Sequence, residues 1–248
     1  KRQDRYTVWS NFQGPYILQP IMARALRVSG NFLRLISAPF SGGSFGLKQS
    51  IYPYIVLLAA ASRISGLPLK WTEDRLEHLM ASSSAADRAD ELEAAFTSDG
   101  TLLGLRFKNC VNVGAYVRAP EPASVYRMHA ASNGCYAVEN ISIQNKLVST
   151  NKMPVGLNRG YGGPQFYYGL ERMMDLTARK LNIDTAEIRR KNFIPEDQFP
   201  YHAPAGAIYD SGNYSEALDL LLKLSNYENI KRRRKQARAA GKLFGIGM

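Results

Sequence analysis

Two glycine-rich stretches hold the residue types in this chain best able to bind and orient a ligand. The first is Gly42-Gly43-Ser44-Phe45-Gly46. Glycines let a backbone approach a ligand closely, and the N–H groups of such a turn can aim at an anion. No Gly-Lys-Ser/Thr ends the stretch and the glycine spacing is not that of a dinucleotide fingerprint, so a tight turn is the competing reading. The second stretch is Arg159-Gly160-Tyr161-Gly162-Gly163-Pro164-Gln165. It sets a guanidinium beside open backbone donors, and its plainer reading is the start of a helix with an exposed arginine. Two anion-ready loops in one chain favour a bound anionic ligand. A metal cage is not expected. There is no Cys-x-x-Cys, and His78, His129 and His202 are not spaced as ligands. Cys110 and Cys135 lie apart in apolar surroundings and are expected to be buried free thiols.

Both stretches need elements to position them. Tyr6 to Ser10 and Leu33 to Ser37 are predicted strands, and Ile17, Ile21, Ala25 and Val28 give the helical spacing between them. The order strand–helix–strand predicts a parallel βαβ unit. The first glycine stretch follows its second strand and leads into a helix from about Tyr52 to Ser65, ended by Gly66 and Pro68. Leu69 to Thr72 is predicted as a further strand. Ala89 to Thr97, the turn Ser98-Asp99-Gly100, and Leu102 to Tyr116 predict a long antiparallel hairpin, and Ser142 to Thr150 one more strand. The second glycine stretch opens a helix running to about Leu181, with proline near its first position. Asp184 with Glu187, and Asn213 with Glu216, have capping-box spacing. Arg189-Arg190-Lys191 would then place cations at the negative end of a short helix. Pro195 to Ile208 is predicted as an irregular linker. Phe244 to Met248 is predicted as the start of a strand, which implies a longer natural chain, as does an opening residue, Lys1, that is not methionine.

At 248 residues the chain can bury a substantial core, and 45% apolar with 21% charged residues is ordinary for a globular protein. Ile55 to Ala61, its longest apolar run, is too short to cross a membrane, and no signal peptide opens the sequence, so a cytoplasmic protein is expected. The net charge of +11 admits nucleic acid, an acidic partner or an anionic cofactor. Part of that charge lies in Lys231-Arg232-Arg233-Arg234-Lys235 with Arg238 behind it, where the solvated face of a helix is expected. Only Tyr227 flanks the run as an aromatic, so nucleic acid is the weaker partner class.

The two loops, in this order and at this separation, resemble the molybdopterin-binding domain of the xanthine dehydrogenase and aldehyde oxidase family. The likeness is closer to large chains of the aerobic carbon monoxide dehydrogenase type. Tyr6-Thr7-Val8-Trp9 with Gln13-Gly14-Pro15, Glu187 to Asn192, Phe199-Pro200-Tyr201 and Tyr209 to Gly212 are similar to further family segments, so the likeness covers essentially the whole chain. It implies an α+β fold with mixed sheets, βαβ units and packed helices. Residues 1–248 would form one molybdopterin-binding domain, a fragment of a longer large subunit. Two sub-lobes are expected, about 1–85 with parts of 150–248, and about 86–150.

The resemblance also implies roles. Gln13 would hydrogen-bond an oxygen ligand of the molybdenum. Gly42, Gly43, Phe45 and Gly46 would place backbone against the metal end of the pterin, and Arg159 with Gly160 would meet the cofactor from the other side. Gln49, Arg127 and Tyr161 would face the substrate. Gln49 stands where purine hydroxylases carry a glutamate, which argues against xanthine. Gly160 stands where carbon monoxide dehydrogenases carry a copper-binding cysteine, which argues against carbon monoxide. The implied activity is molybdenum-dependent oxidation of an aldehyde or N-heteroaromatic substrate, with water as the oxygen source. The implied cofactor is molybdenum–molybdopterin cytosine dinucleotide, and the implied partners are the rest of the large subunit, an iron–sulfur subunit and an FAD subunit. The family's general base is a glutamate in a later Gly-Glu motif, which is absent here. No catalytic residue is therefore expected in this chain, and a non-catalytic split subunit or assembly module remains the alternative.

Overall fold

The computed structural model describes residues 5–119 and 125–248. They divide into two compact units. The first comprises Lys1–Ala89, Asn109–Met128 and Asn145–Pro164, and the second Asp90–Lys108, His129–Gln144 and Gln165–Met248.

In the first unit the expected βαβ motif is present. β1 (Tyr6–Ser10) and β2 (Leu33–Ser37) pair in parallel, Tyr6 opposite Leu33 and Ser10 opposite Ser37, with α1 (Pro15–Ala25) crossing between them. Alternation along the strands turns Tyr6, Val8, Leu33 and Leu35 toward Leu18, Met22 and Leu26 of the crossover segment and Ile55 and Ala59 of α2 (Tyr52–Ser65). The Gln19 amide donates to the carbonyls of Gly30 (3.1 Å) and Leu33 (2.9 Å), fixing where β2 begins. Gly66, at φ 70°, closes α2 in the left-handed cap that favours glycine.

The expected strand at Leu69 to Thr72 does not form. This segment is irregular, and Trp71 packs its ring on Tyr54 at 5.0 Å instead of entering a ladder. A helix follows that apolar periodicity did not announce, α3 (Arg75–Ala81), started by a reciprocal capping box between Asp74 and Glu77.

β3 (Asp87–Phe96), β4 (Leu102–Gly114) and β5 (Asn140–Ser149) form a three-stranded sheet with β4 in the centre. The predicted turn between β3 and β4 is present, with Gly100 at φ +88° and its N–H donating to the Thr97 carbonyl at 3.0 Å. Arg106 pairs with Glu93 at 3.0 Å, and Asn112 donates to Asp87 at 2.9 Å, the order of an antiparallel pair. Between β4 and β5 the bonded pairs Asn140–Leu103, Asn109–Asn145 and Thr150–Asn112 ascend together, the order of a parallel pair. The sheet is therefore mixed.

The second unit is mainly helical. α4 (Gly163–Leu181) buries Phe166, Leu170, Met174 and Ala178, four residues apart along one stripe. α5 (Thr185–Asn192), α6 (Tyr214–Ser225) and α7 (Tyr227–Ala239) follow. Asp184 caps α5 by accepting from the Ala186 N–H, and Asn213 caps α6 by accepting from the Glu216 N–H. Pro195 to Ile208 is less irregular than expected, since it holds a turn of 3₁₀ helix and β6 (Tyr201–His202), which pairs with β7 (Ile208–Tyr209). Phe244 to Met248 form no strand.

The basic run lies on α7 and is largely solvated, as expected, with Lys231 held by Glu228 at 2.6 Å and Asp184 at 3.2 Å. Both cysteines are free but only half-buried, a correction to the expectation of full burial. Burial and the neighbouring Glu171 push the Cys135 thiol up to about 12. Among the described residues no helix is long and apolar enough to cross a membrane.

Candidate functional site

The site grows from the carboxyl ends of the two parallel strands, where open α/β sheets characteristically receive ligands. Ser10 and Ser37 are neighbours there, and the Ala38 N–H donates to the Ser10 carbonyl at 3.2 Å. The chain leaving β1 therefore runs beside the chain leaving β2. The first presents Gln13, then reverses at Gly14 (φ 65°) so that Pro15 can start α1. The second presents Gly42 to Gly46.

Gln13 and the glycine loop are bonded to each other. The Gln13 Oε1 accepts from the Gly46 N–H at 3.1 Å and from the Ser44 hydroxyl. The Lys48 N–H donates to the Ser44 Oγ at 3.1 Å. The Lys48 ammonium donates to the Gly42 carbonyl at 2.7 Å and the Ser41 hydroxyl at 2.9 Å, closing the loop from outside. Gln49 lies alongside, its amide nitrogen 3.7 Å from where a Cβ on Gly14 would stand.

The glycines do different work. At Gly46 a Cβ would fall 2.5 Å from the Leu157 carbonyl oxygen, so this glycine lets the loop lie against the backbone that leads into the second stretch. Gly42 has nothing within 4 Å, and at Gly43 a Cβ would meet only the ring of Phe45, at 3.1 Å. Phe45 itself is 63% exposed. The faces of Gly42 and Gly43 are therefore open to a ligand.

The second stretch sits directly behind the first. Gly156 bonds to the Ser84 carbonyl through its N–H at 2.9 Å and touches Ser50 and Ser83, with no room for a side chain. The Arg159 guanidinium stands 6.0 Å from the centre of the Phe45 ring. It makes no ion pair among the described residues. Tyr161 turns back on this loop through its N–H to the Asn158 carbonyl at 3.0 Å, and Arg127 lies over its ring at 4.8 Å. Gly160 packs on the Pro164 ring, where a Cβ would fall 2.5 Å from the proline carbons.

The first unit thus brings together Gln13 and the loop from Gly42 to Gly46, sets Gln49 beside Gly14 and Arg159 by the Phe45 ring, and pairs Arg127 with Tyr161, while Gly160 packs on Pro164. Sequence reasoning missed Ser44 and Lys48 as working parts of the loop, although a hydroxyl between glycines was a legible signal. It also missed Leu157, for which the sequence offers no signal. These side chains supply amides, guanidinium groups, a hydroxyl and aromatic rings, with no carboxylate among them. That donor set suits an anion. Among the described residues, no cluster of three or more His, Cys, Asp or Glu could hold a metal ion.

Residues 1–193 match the family model of the molybdopterin cofactor-binding domain. The chain is 35% identical over 249 residues to the carbon monoxide dehydrogenase large chain of Hydrogenophaga pseudoflava, covering 98% of this chain and 31% of that protein. It is 32% identical over 249 residues to the nicotine 6-hydroxylase large subunit of Paenarthrobacter nicotinovorans, covering 99% of this chain and 30% of that protein. Its fold superposes on quinoline 2-oxidoreductase from Pseudomonas putida 86 with a TM-score of 0.89 at 30% identity, covering 96% of this chain and 30% of that one. The chain thus spans about a third of the length of these relatives.

Proposed function

Because the chain belongs to the molybdopterin cofactor-binding domain family, we propose that it forms one wall of the cofactor and substrate pocket of a molybdenum hydroxylase. The observation that carries this reading is the glycine loop bonded to Gln13, with open faces at Gly42 and Gly43 and the Arg159 guanidinium 6.0 Å from the Phe45 ring. Such a face fits an anionic pterin cofactor. The cofactor is proposed to be the molybdopterin cytosine dinucleotide. When bound, it would supply the two-electron oxidation, with water as the oxygen source.

The chain's own residues bind and orient. Gln13 offers its NH2 hydrogens to an acceptor oxygen, Gly42 and Gly43 allow close approach, and Arg159 adds a charge-assisted contact. Tyr161, steadied by Arg127, would stack on a planar substrate. Gln49 is neutral, so it gives no charged handle for a purine, and a neutral aldehyde or N-heteroaromatic ring is the proposed substrate class. No thiol stands at Gly160 to hold copper, and the packing on Pro164 leaves no room for one, which argues against carbon monoxide. Two relatives are named as a large chain and a large subunit. Assembly with an iron–sulfur subunit and an FAD subunit, which carry the electrons away, is proposed accordingly.

The test uses the longer protein that contains this chain, made in a host that supplies the cofactor. Gly43→Val should sharply lower molybdenum per subunit, because the new side chain would fill space that only the exposed Phe45 ring and a ligand share. Arg159→Ala should weaken retention by about tenfold, the scale of one hydrogen bond to a charged group. Circular dichroism should be unchanged in both. Full molybdenum occupancy in Gly43→Val would mean that the loop is only a turn.

A further inference from the structure

We infer that Ser44 is a positioning residue that locks the orientation of the Gln13 carboxamide, so that its NH2 faces the ligand. This rests on the proposed role of Gln13 and adds a residue to it.

The orientation follows from donor and acceptor counting. A backbone N–H can only donate, so the Gln13 atom 3.1 Å from the Gly46 nitrogen must be the amide oxygen. Ser44 has one hydroxyl proton and two lone pairs. Its oxygen already accepts from the Lys48 N–H at 3.1 Å, with the Gly46 N–H at 3.4 Å. The proton is therefore left for the Gln13 Oε1, the remaining contact of this hydroxyl. A flipped amide would set its NH2 against the Gly46 N–H, which can only donate, and would give up the bond from the Ser44 hydroxyl. The flip is excluded, and the Nε2 hydrogens have no acceptor among the described residues. Gln13 is exposed, so without these two bonds its side chain would sample many rotamers, and a ligand would have to immobilise it. The Gly46 N–H fixes which end of the amide a ligand meets, and Ser44 holds the carboxamide in that orientation in advance by a second bond to the same oxygen.

The consequence is coupling. If Ser44 acts through Gln13, its loss should matter only while Gln13 is present. In the complete cofactor-loaded protein, the readout is the rate at which molybdenum is lost on prolonged dialysis, with thermal unfolding measured beside it. Gln13→Leu should speed the loss about tenfold, and Ser44→Ala about fivefold, the scale of one neutral hydrogen bond. Ser44→Thr keeps the hydroxyl and should lie near the parent. The double variant Gln13→Leu/Ser44→Ala should be no faster than Gln13→Leu alone. Ser44→Ala at the parent rate while Gln13→Leu is fast would overturn the inference and leave the proposed function standing. So would independent, multiplying effects in the double variant, or a Ser44→Thr as fast as Ser44→Ala. A Gln13→Leu that holds molybdenum as the parent does would remove the proposed role of Gln13 itself, and the inference with it.

Discussion

At Gly46 the backbone admits no side chain. Its φ is +115°, outside the range L-residues adopt without strain, and a Cβ would stand 2.5 Å from the Leu157 carbonyl oxygen and 2.9 Å from the Leu157 Cβ. Neither neighbour is the free end of a flexible side chain, so the loop itself must move. Gly46→Ala should cost about 3 kcal/mol through the strained dihedral and the displaced loop. Gly43→Ala, facing only the exposed Phe45 ring, should stay within about 0.5 kcal/mol of the parent. Chemical unfolding of both variants measures the contrast, and equal stabilities would contradict the packing described here. In the sequence the two glycines look equivalent, because both are read from the same motif. What separates them is the approach of Leu157, more than a hundred residues away in the chain, and a local motif holds no trace of that. The Ser44 hydroxyl is visible in the motif, but its partner is not, because Gln13 lies 31 residues earlier in the strand–helix turn.

The elements of the first unit were legible where a period and a stop signal coincided. β1, β2 and α2 follow apolar spacing bounded by Gly14, Gly66 and their flanking prolines, and the parallel pairing follows from their order. α1 forms where expected but on another face: Ile17, Ile21 and Ala25 of the expected stripe are exposed, and Leu18, Met22, Ala23 and Leu26 fill the core instead. Leu69 to Thr72 misled because a short apolar run after a proline satisfies the strand pattern, whereas Trp71 is used against Tyr54. α5 carries the expected cations in its last turn, but they do different work. Its Arg189-Arg190-Lys191 cluster fits a helix end by charge alone, yet Arg189 is buried at 4% exposure. It donates to Glu171 at 2.8 Å and Asp175 at 3.1 Å on α4, and the Tyr136 hydroxyl also donates to Glu171 at 2.8 Å. The arginine therefore ties α5 to α4, while Arg190 and Lys191 reach outward to Asp219 and Asp99. Arg189→Met should destabilise by about 3 kcal/mol, because two carboxylates lose their shared cation and Glu171 stays against a buried tyrosine. Arg190→Met, on the surface, should cost less than about 1 kcal/mol. Comparable losses in the two variants would mean that the buried fork adds nothing beyond a surface pair.

At the scale of the whole molecule, the candidate site is one-sided in its chemistry. The amide NH2 groups of Gln13 and Gln49 and the guanidinium groups of Arg127 and Arg159 can donate hydrogen bonds or carry positive charge, which suits holding an anion. Proton abstraction needs a positioned acceptor within hydrogen-bond reach, with a pKa near the working pH. A neutral amide and a guanidinium cannot serve, and the site's side chains include no carboxylate or imidazole. The chain also spans only about a third of the relatives it matches, so their remaining length has room for such a group. Purified as these 248 residues from a host that makes the cofactor, the chain should show no oxidation of an aldehyde or an N-heteroaromatic substrate. The longer protein containing it should oxidise such neutral substrates, and faster than xanthine, because Gln49 offers no negative charge to a purine. Steady-state rates on one substrate panel, measured for both forms, test the two statements together. Turnover by the chain alone would place a base among residues assigned here to binding. A preference for xanthine in the longer protein would show that the neutral side chain of Gln49 does not set the substrate class.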